Sequence, residues 1–136
     1  MNSFYLNEAH YAVMIGDFSR VKKLYFEFRE KYSYIQDHNF YHTFRLLFTN
    51  ACQHGKSEIA RWLYDEIYVK LLDEEQKAEL RPTFNLCFQR VKQVPRFAHL
   101  HTWLERIVIK MRDDYGGPGE SVYFSNKPLN EFIDKK

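Results

Sequence analysis

Residues 50–64 read Asn50-Ala51-Cys52-Gln53-His54-Gly55-Lys56-Ser57-Glu58-Ile59-Ala60-Arg61-Trp62-Leu63-Tyr64, and this stretch decides the fold class. A helical pattern runs into Gly55, and past it Ile59, Ala60, Trp62, Leu63 and Tyr64 line a second helix. Gly at that point takes the left-handed conformation that ends one helix and starts a tight turn, without the steric cost of a side chain. The stretch therefore predicts a helix, a turn and a second helix.

The same plan stands 39 positions earlier. Asn7 to Tyr25 holds an Ala-rich stretch ending at Gly16, then a stretch with Val21, Leu24, Tyr25 and, beyond it, Phe28 on its apolar side. Ala12 and Ala51 precede the glycines and allow neighbouring helices to approach closely. Recurrence at this period is the mark of a repeat architecture, in which each unit buries its apolar stripe only against its neighbour. A third pair is looser. Phe84, Leu86, Cys87, Phe88 and Val91 form one apolar face, and Phe97, Leu100, Trp103, Leu104 and Ile107 form the next, at helical spacings. Its Trp103-Leu104 echoes Trp62-Leu63 at a separation of 41, and Pro95 replaces the glycine turn as the first residue of a helix.

Between these segments Tyr32 to His38 lacks a period and reads as a loop. Asp73-Glu74-Glu75-Gln76 reads as a helix start, and Pro82 as a break or bend. No alternating run bounded by hairpin turn residues occurs, so the fold class is all-α. From Arg112 the composition changes: Asp113, Asp114, Tyr115, Gly116, Gly117, Pro118, Gly119 and Glu120 are not expected to hold a helix. We divide the chain into a helical repeat domain, 1–112, and an extended C-terminal arm, 113–136. The arm carries Val122, Tyr123, Phe124, Leu129, Phe132 and Ile133, too apolar for a featureless solvated tail.

Composition narrows the function classes. A net charge of +2, from 20 basic and 18 acidic residues mixed along the chain, gives no field that argues for nucleic acid or an anionic membrane. Basic residues at Arg20, Lys22, Lys23 and at Arg90, Lys92, Arg96 have acidic neighbours and read as solvated helix faces. No apolar run approaches the roughly 20 residues needed to span a bilayer. Met1-Asn2-Ser3-Phe4 opens no secretory signal, which leads us to expect an intracellular protein, in the cytoplasm of a host or source cell. Cys52 and Cys87 lie inside apolar helical patterns and read as buried thiols.

Catalytic and cofactor chemistry finds no footing. His99 and His101 are two apart on one helix and point in different directions, as do Cys52 and His54, so neither pair is a metal site. Asp73, Glu74, Glu75 and the pair Asp113, Asp114 read as solvated charges. The Gly116-Gly117-Pro118-Gly119 run lacks the Lys-Ser/Thr of a phosphate loop. We expect no enzyme and no cofactor.

The residues of the two glycine-turn units resemble the ankyrin repeat. His10, Ala12, Gly16, Val21 and Leu24 match its pattern in the first unit, and Ala51, Gly55, Ala60 and Leu63 match in the second. The Thr-Pro start is missing, and the spacing exceeds the family's usual 33 residues. The run from Ala51 to Gly55 with Ala60 to Tyr64 is similar to the divergent ankyrin-like repeats of large DNA viruses. The resemblance covers about residues 4–110 and implies a short solenoid of about three helix pairs that binds another protein. In that geometry Tyr11, Met14, Asn50 and Gln53 lie on the exposed side of first helices and are the expected partner contacts, with Tyr123 and Phe124 on the arm. The alternative is a small assembly protein, such as a minor virion component, that lays its arm across a neighbour.

Overall fold

The computed structural model of the chain describes residues 3–31 and 38–115. Its helices are α1 Ser3–Ile15, α2 Phe18–Lys31, α3 His38–Gln53, α4 Ser57–Leu63, α5 Glu74–Glu79, α6 Arg81–Lys92 and α7 Ala98–Tyr115. A π-helical segment, Tyr64–Val69, continues α4, and a 3-10 turn, Pro95–Phe97, leads into α7. No strand occurs among the described residues, and no helix among them is long and apolar enough to cross a membrane. The expected all-α class is the observed one. His38 opens α3 instead of ending a loop, and residues 32–37 of that expected loop lie outside the described residues. The chain divides into two compact units, Met1–Asp73 and Glu74–Lys136, a division that falls inside the 1–112 block expected as one domain.

In the first unit α1 pairs with α2 and α3 with α4, and the two hairpins stack, α1 on α3 and α2 on α4. The turns explain why. Gly16 N–H donates to the Val13 carbonyl (3.0 Å) and Asp17 N–H to the Ala12 carbonyl (2.9 Å). In the second turn Gly55 N–H donates to Cys52 (3.1 Å) and Lys56 N–H to Ala51 (2.8 Å). This crossed pair is the Schellman closure of a helix, and it requires a left-handed residue, supplied by Gly16 at φ +80° and Gly55 at φ +68°. The following helices start alike, Val21 N–H donating to Asp17 and Ala60 N–H to Lys56, at 3.0 and 2.9 Å. The 39-residue offset of the sequence is thus an offset of backbone hydrogen bonds.

Burial follows the same offset. Ala9 and Phe48, Ala12 and Ala51, Val13 and Cys52, Val21 and Ala60, Leu24 and Leu63, Phe28 and Ile67 are buried pair by pair. Aromatic rings fill the space between helices. Phe28 of α2 meets Tyr5 of α1 and Phe40 of α3 edge-on, at 6.1 and 5.7 Å between centroids, and Phe44 stacks on Phe48 at 4.9 Å. Trp62 of α4 joins the hairpins on the other side, with Tyr25, Phe26 and Phe18 of the first hairpin at 5.2, 5.9 and 6.0 Å. Each such pair adds about 0.5–1.5 kcal/mol beyond the area it buries. Beyond Leu63 the helix widens. Leu72 N–H reaches back to the Ile67 carbonyl (3.2 Å), Tyr64 stacks on Tyr68 at 4.9 Å, and Ile67 and Tyr68, adjacent in sequence, are both buried.

In the second unit α6 packs on α7 and α5 on α6. Pro82 sits in the first turn of α6, where its missing N–H costs nothing. Phe84, Cys87 and Val91 face Leu100, Leu104, Ile107, Val108 and Met111 as the buried set. Leu86 departs from the expected face and is exposed, because it lies too far around the helix from the stripe of residues 84, 87 and 91. Phe88 is half-buried, its ring stacked at 5.0 Å on His101. The turn has no glycine. Gln93 and Val94 donate to Arg90 and Val91 at 3.2 and 3.0 Å, Val94 is extended, and Pro95 opens the 3-10 turn in place of a helix proper.

The helix α7 runs three residues past the boundary expected at Arg112. Arg81 explains the extension: its Nε donates to the Ala78 carbonyl (2.9 Å) and its Nη1 to the Tyr115 carbonyl (2.6 Å) at the helix end. Tyr115 Oη donates in turn to Glu74 Oε1 (2.7 Å), and Lys110 pairs with Asp114 one turn on, at 3.1 Å. These contacts hold Asp113, Asp114 and Tyr115 helical. The rest of the expected arm, 116–136, lies outside the described residues.

Candidate protein-binding face

The four expected first-helix contacts separate into two kinds. Met14 and Gln53 are equivalent under the 39-residue offset, and both are exposed, Met14 at 41%. Asn7 and Leu46, one pair further back along the same side, are exposed as well, Leu46 at 37%. A continuous lateral face therefore runs across α1 and α3, carrying Asn7, Met14, Leu46 and Gln53. Leu46 stands seven positions before Gln53, two turns back on the same side of α3.

Tyr11 and Asn50 are the other equivalent pair, and they have opposite fates. Tyr11 is 57% exposed, whereas Asn50 is 8% exposed. The expected exposure of Asn50 is corrected by its contact: its Nδ2 donates to the His10 carbonyl (3.0 Å), so Asn50 lies under α1 and helps dock the second hairpin on the first. Its own carbonyl lies 3.0 Å from His54 Nδ1. An amide serves here because a buried donor aimed at a helix carbonyl is satisfied, where an unmatched one would be costly. Tyr11 occupies the same position on the first hairpin, and none of the described helices lies across it. Tyr123 and Phe124 lie outside the described residues.

Tyr11, Met14 and Ile15 stand at i, i+3 and i+4 and form one apolar patch at the end of α1, with Ile15 at 50% exposure. The charged groups around it are unevenly committed. Glu8 is ion-paired with Arg20 across α1 and α2. Asp17 caps α2 by accepting from Arg20 N–H at 3.2 Å. The Lys56 side chain lies against the turn at Gly16, its Nζ 3.3 Å from where a β-carbon would stand. Neither Lys56 nor the exposed Lys23 belongs to an ion pair among the described residues.

The Tyr25 hydroxyl is buried and makes no hydrogen bond among the described residues. Burial pushes its pKa up to about 12 against the lowering pull of the Arg29 charge. Glu74 is held below its ordinary value by the Tyr115 hydroxyl and by the Lys77 charge. Cys52 and Cys87 are both buried. Among the described residues no group of three or more His, Cys, Asp or Glu is placed to hold a metal ion. A cavity of about 10 Å³, the room of one water, lies between Arg81, Val108, Met111 and Arg112 in the second unit.

Comparison of the chain with protein-family models, with curated proteins and with solved structures finds no match.

Proposed function

We propose that this chain is a non-enzymatic binding module of the ankyrin-like kind, which holds another protein on the first-helix side of its stacked hairpins. One observation carries the reading. Two hairpins closed by the same Schellman turns repeat at a fixed offset and leave equivalent positions exposed on both first helices, with Met14 and Leu46 as apolar members. In a stack of repeats the core is spent on neighbour contacts, and the residues left out of it at equivalent positions form an extended surface suited to a partner. Exposed apolar side chains at such positions are hydrated in the folded and unfolded chain alike, so they add little to stability and gain when a partner covers them.

The test is affinity capture from extracts of the native source with the full chain as bait, read by quantitative mass spectrometry. A variant carrying Met14→Ala, Leu46→Ala and Gln53→Ala is run in parallel. We expect at least a tenfold loss of the captured partner at an unchanged melting temperature. Equal capture by the variant and the unaltered chain rejects the lateral face as the binding surface.

A further inference from the structure

Charge is unevenly shared between the two kinds of helix in the first unit. The second helices, with the π-helical segment that continues α4, carry Glu27, Glu30, Glu58, Asp65 and Glu66, all exposed except the half-buried Glu66. The first helices are nearly free of acids. Among the 13 residues of α1 Glu8 is the one carboxylate, and it is ion-paired with Arg20 of α2; the 16 residues of α3 have none.

The surface of α3 falls on one side of the helix. His42, Arg45, Leu46, Thr49 and Gln53 stand at i, i+3, i+4, i+7 and i+11, within about 100° of the helix circumference, and all are exposed except the half-buried Thr49. Away from them Phe44, Leu47, Phe48 and Ala51 enter the core. Arg45 belongs to no ion pair among the described residues, and its own helix offers it no carboxylate. Leu46, next to it in sequence and on the same side, is left in water.

This pairing of a guanidinium with an apolar side chain, on a helix without acids, selects among occupants. A guanidinium presents a planar fork of donors that a carboxylate meets with two parallel hydrogen bonds. A basic segment would find no counter-charge on α3. Nucleic acid draws its affinity from several cations along the phosphate backbone, and this side of α3 has one Arg and no Lys. A second copy meeting it by two-fold symmetry would set Arg45 against its own equivalent.

We infer that the His42–Arg45–Leu46–Gln53 side of α3 receives an acidic segment of a partner protein, in which an apolar side chain covers Leu46 and an adjacent Asp or Glu binds the Arg45 guanidinium. This rests on the binding-module reading and names its partner class. The apolar contact supplies area, and the charged pair fixes register and suppresses basic competitors.

Selection of random dodecapeptides displayed on phage against the immobilised full chain tests it, because one library offers acidic, basic and neutral segments together. Peptides with Asp or Glu beside an apolar residue are expected to be enriched, and to lose their enrichment on an Arg45→Glu chain. The most enriched peptide is then made with a fluorescein label and titrated by anisotropy. Arg45→Glu should weaken it about tenfold and Leu46→Ser several-fold, and added salt should weaken it too. Glu27→Gln with Glu30→Gln on α2 should leave it unchanged. Arg45 and Leu46 are on the surface, so these variants are expected to keep the helical circular dichroism; should Arg45→Glu lose it, Arg45→Gln replaces it, with a several-fold loss expected.

Enrichment of basic or neutral peptides, no enrichment at all, or binding that the Arg45 variants leave unchanged overturns the proposal. So does concentration-dependent dimerisation of the unaltered chain that Arg45→Glu abolishes, since that assigns the face to a second copy. Peptide binding indifferent to Arg45, with capture still dependent on Met14, Leu46 and Gln53, removes the acidic partner alone. Capture indifferent to those three residues removes the broader reading.

Discussion

The hairpins of the first unit and the hairpin of the second reach the same form, two antiparallel helices on a shared apolar stripe, by different means. In the first unit the turns are two and three residues long and are held by the backbone, each through a left-handed glycine and two crossed hydrogen bonds. In the second the turn runs from Gln93 through the 3-10 segment to Phe97 with Val94 extended and no left-handed residue, and side chains secure the far end, where Arg81 binds the Tyr115 carbonyl and Tyr115 binds Glu74. A backbone turn can be repeated, because it asks for one glycine and leaves the other positions to vary. A side-chain clamp asks for particular residues at three distant positions, and it occurs once among the described residues. The comparison teaches that the repeat is carried by turn geometry more than by side-chain identity, since of the six equivalent buried pairs only Ala12/Ala51 and Leu24/Leu63 keep the same residue.

The largest effect that probes this contrast is in the core. Phe44→Ala removes a fully buried ring from the first unit and is expected to cost about 3–5 kcal/mol in urea unfolding. A cost below about 1 kcal/mol would show that the aromatic packing is loose and that the turns alone hold the stack.

Next is the alkaline limit set by Tyr25. Its folded pKa of about 12 lies above the ordinary 10.0, so the fold favours the protonated hydroxyl. That contribution, about 2–3 kcal/mol, is complete below pH 10 and is lost as pH rises to about 12. Unfolding measured across that range should show the decline, and Tyr25→Phe should flatten it; an unchanged profile in the variant would assign the loss to other groups.

The glycine turns come third. Gly16→Ala and Gly55→Ala each force a β-carbon into a left-handed residue and should cost about 1–2 kcal/mol, similar at the two sites because the turns are equivalent. Lys56 must also give way at Gly16, so a modest excess there is expected. A negligible cost at either site breaks the equivalence on which the comparison rests. The smallest effect is the acid sensitivity of the clamp. Glu74 is exposed and its pKa is lowered, so its contribution is present above 4.5 and is lost as pH falls through the folded value. Tyr115→Phe should remove that slight dependence, measured as the shift of the thermal midpoint between pH 6 and pH 3.

Much of this was legible in the residues. Gly16 and Gly55 announced both turns because only a residue without a side chain takes their conformation cheaply. The apolar periodicity announced the helices on either side, and Trp62 with Leu63 marked the second helix of the second pair. Asn50 was misread because it is polar, and nothing in the local pattern says that a helix from 40 residues away supplies a carbonyl to it. Leu86 was misread because a helix rich in apolar residues does not show which of them form the stripe. The end of α7 was misread because Asp113, Asp114 and Tyr115 have no strong helical preference of their own, and the Arg81 contact that holds them comes from a different helix.

By itself the sequence determined the all-helical class, the two glycine-closed turns and their offset, since these depend on backbone conformation and on spacing along one chain. Only the tertiary structure decided that Asn50 is a docking contact while its counterpart Tyr11 is a surface residue. The physical reason is that the two positions share a local geometry and differ only in whether another helix lies across them, which no short stretch of residues encodes.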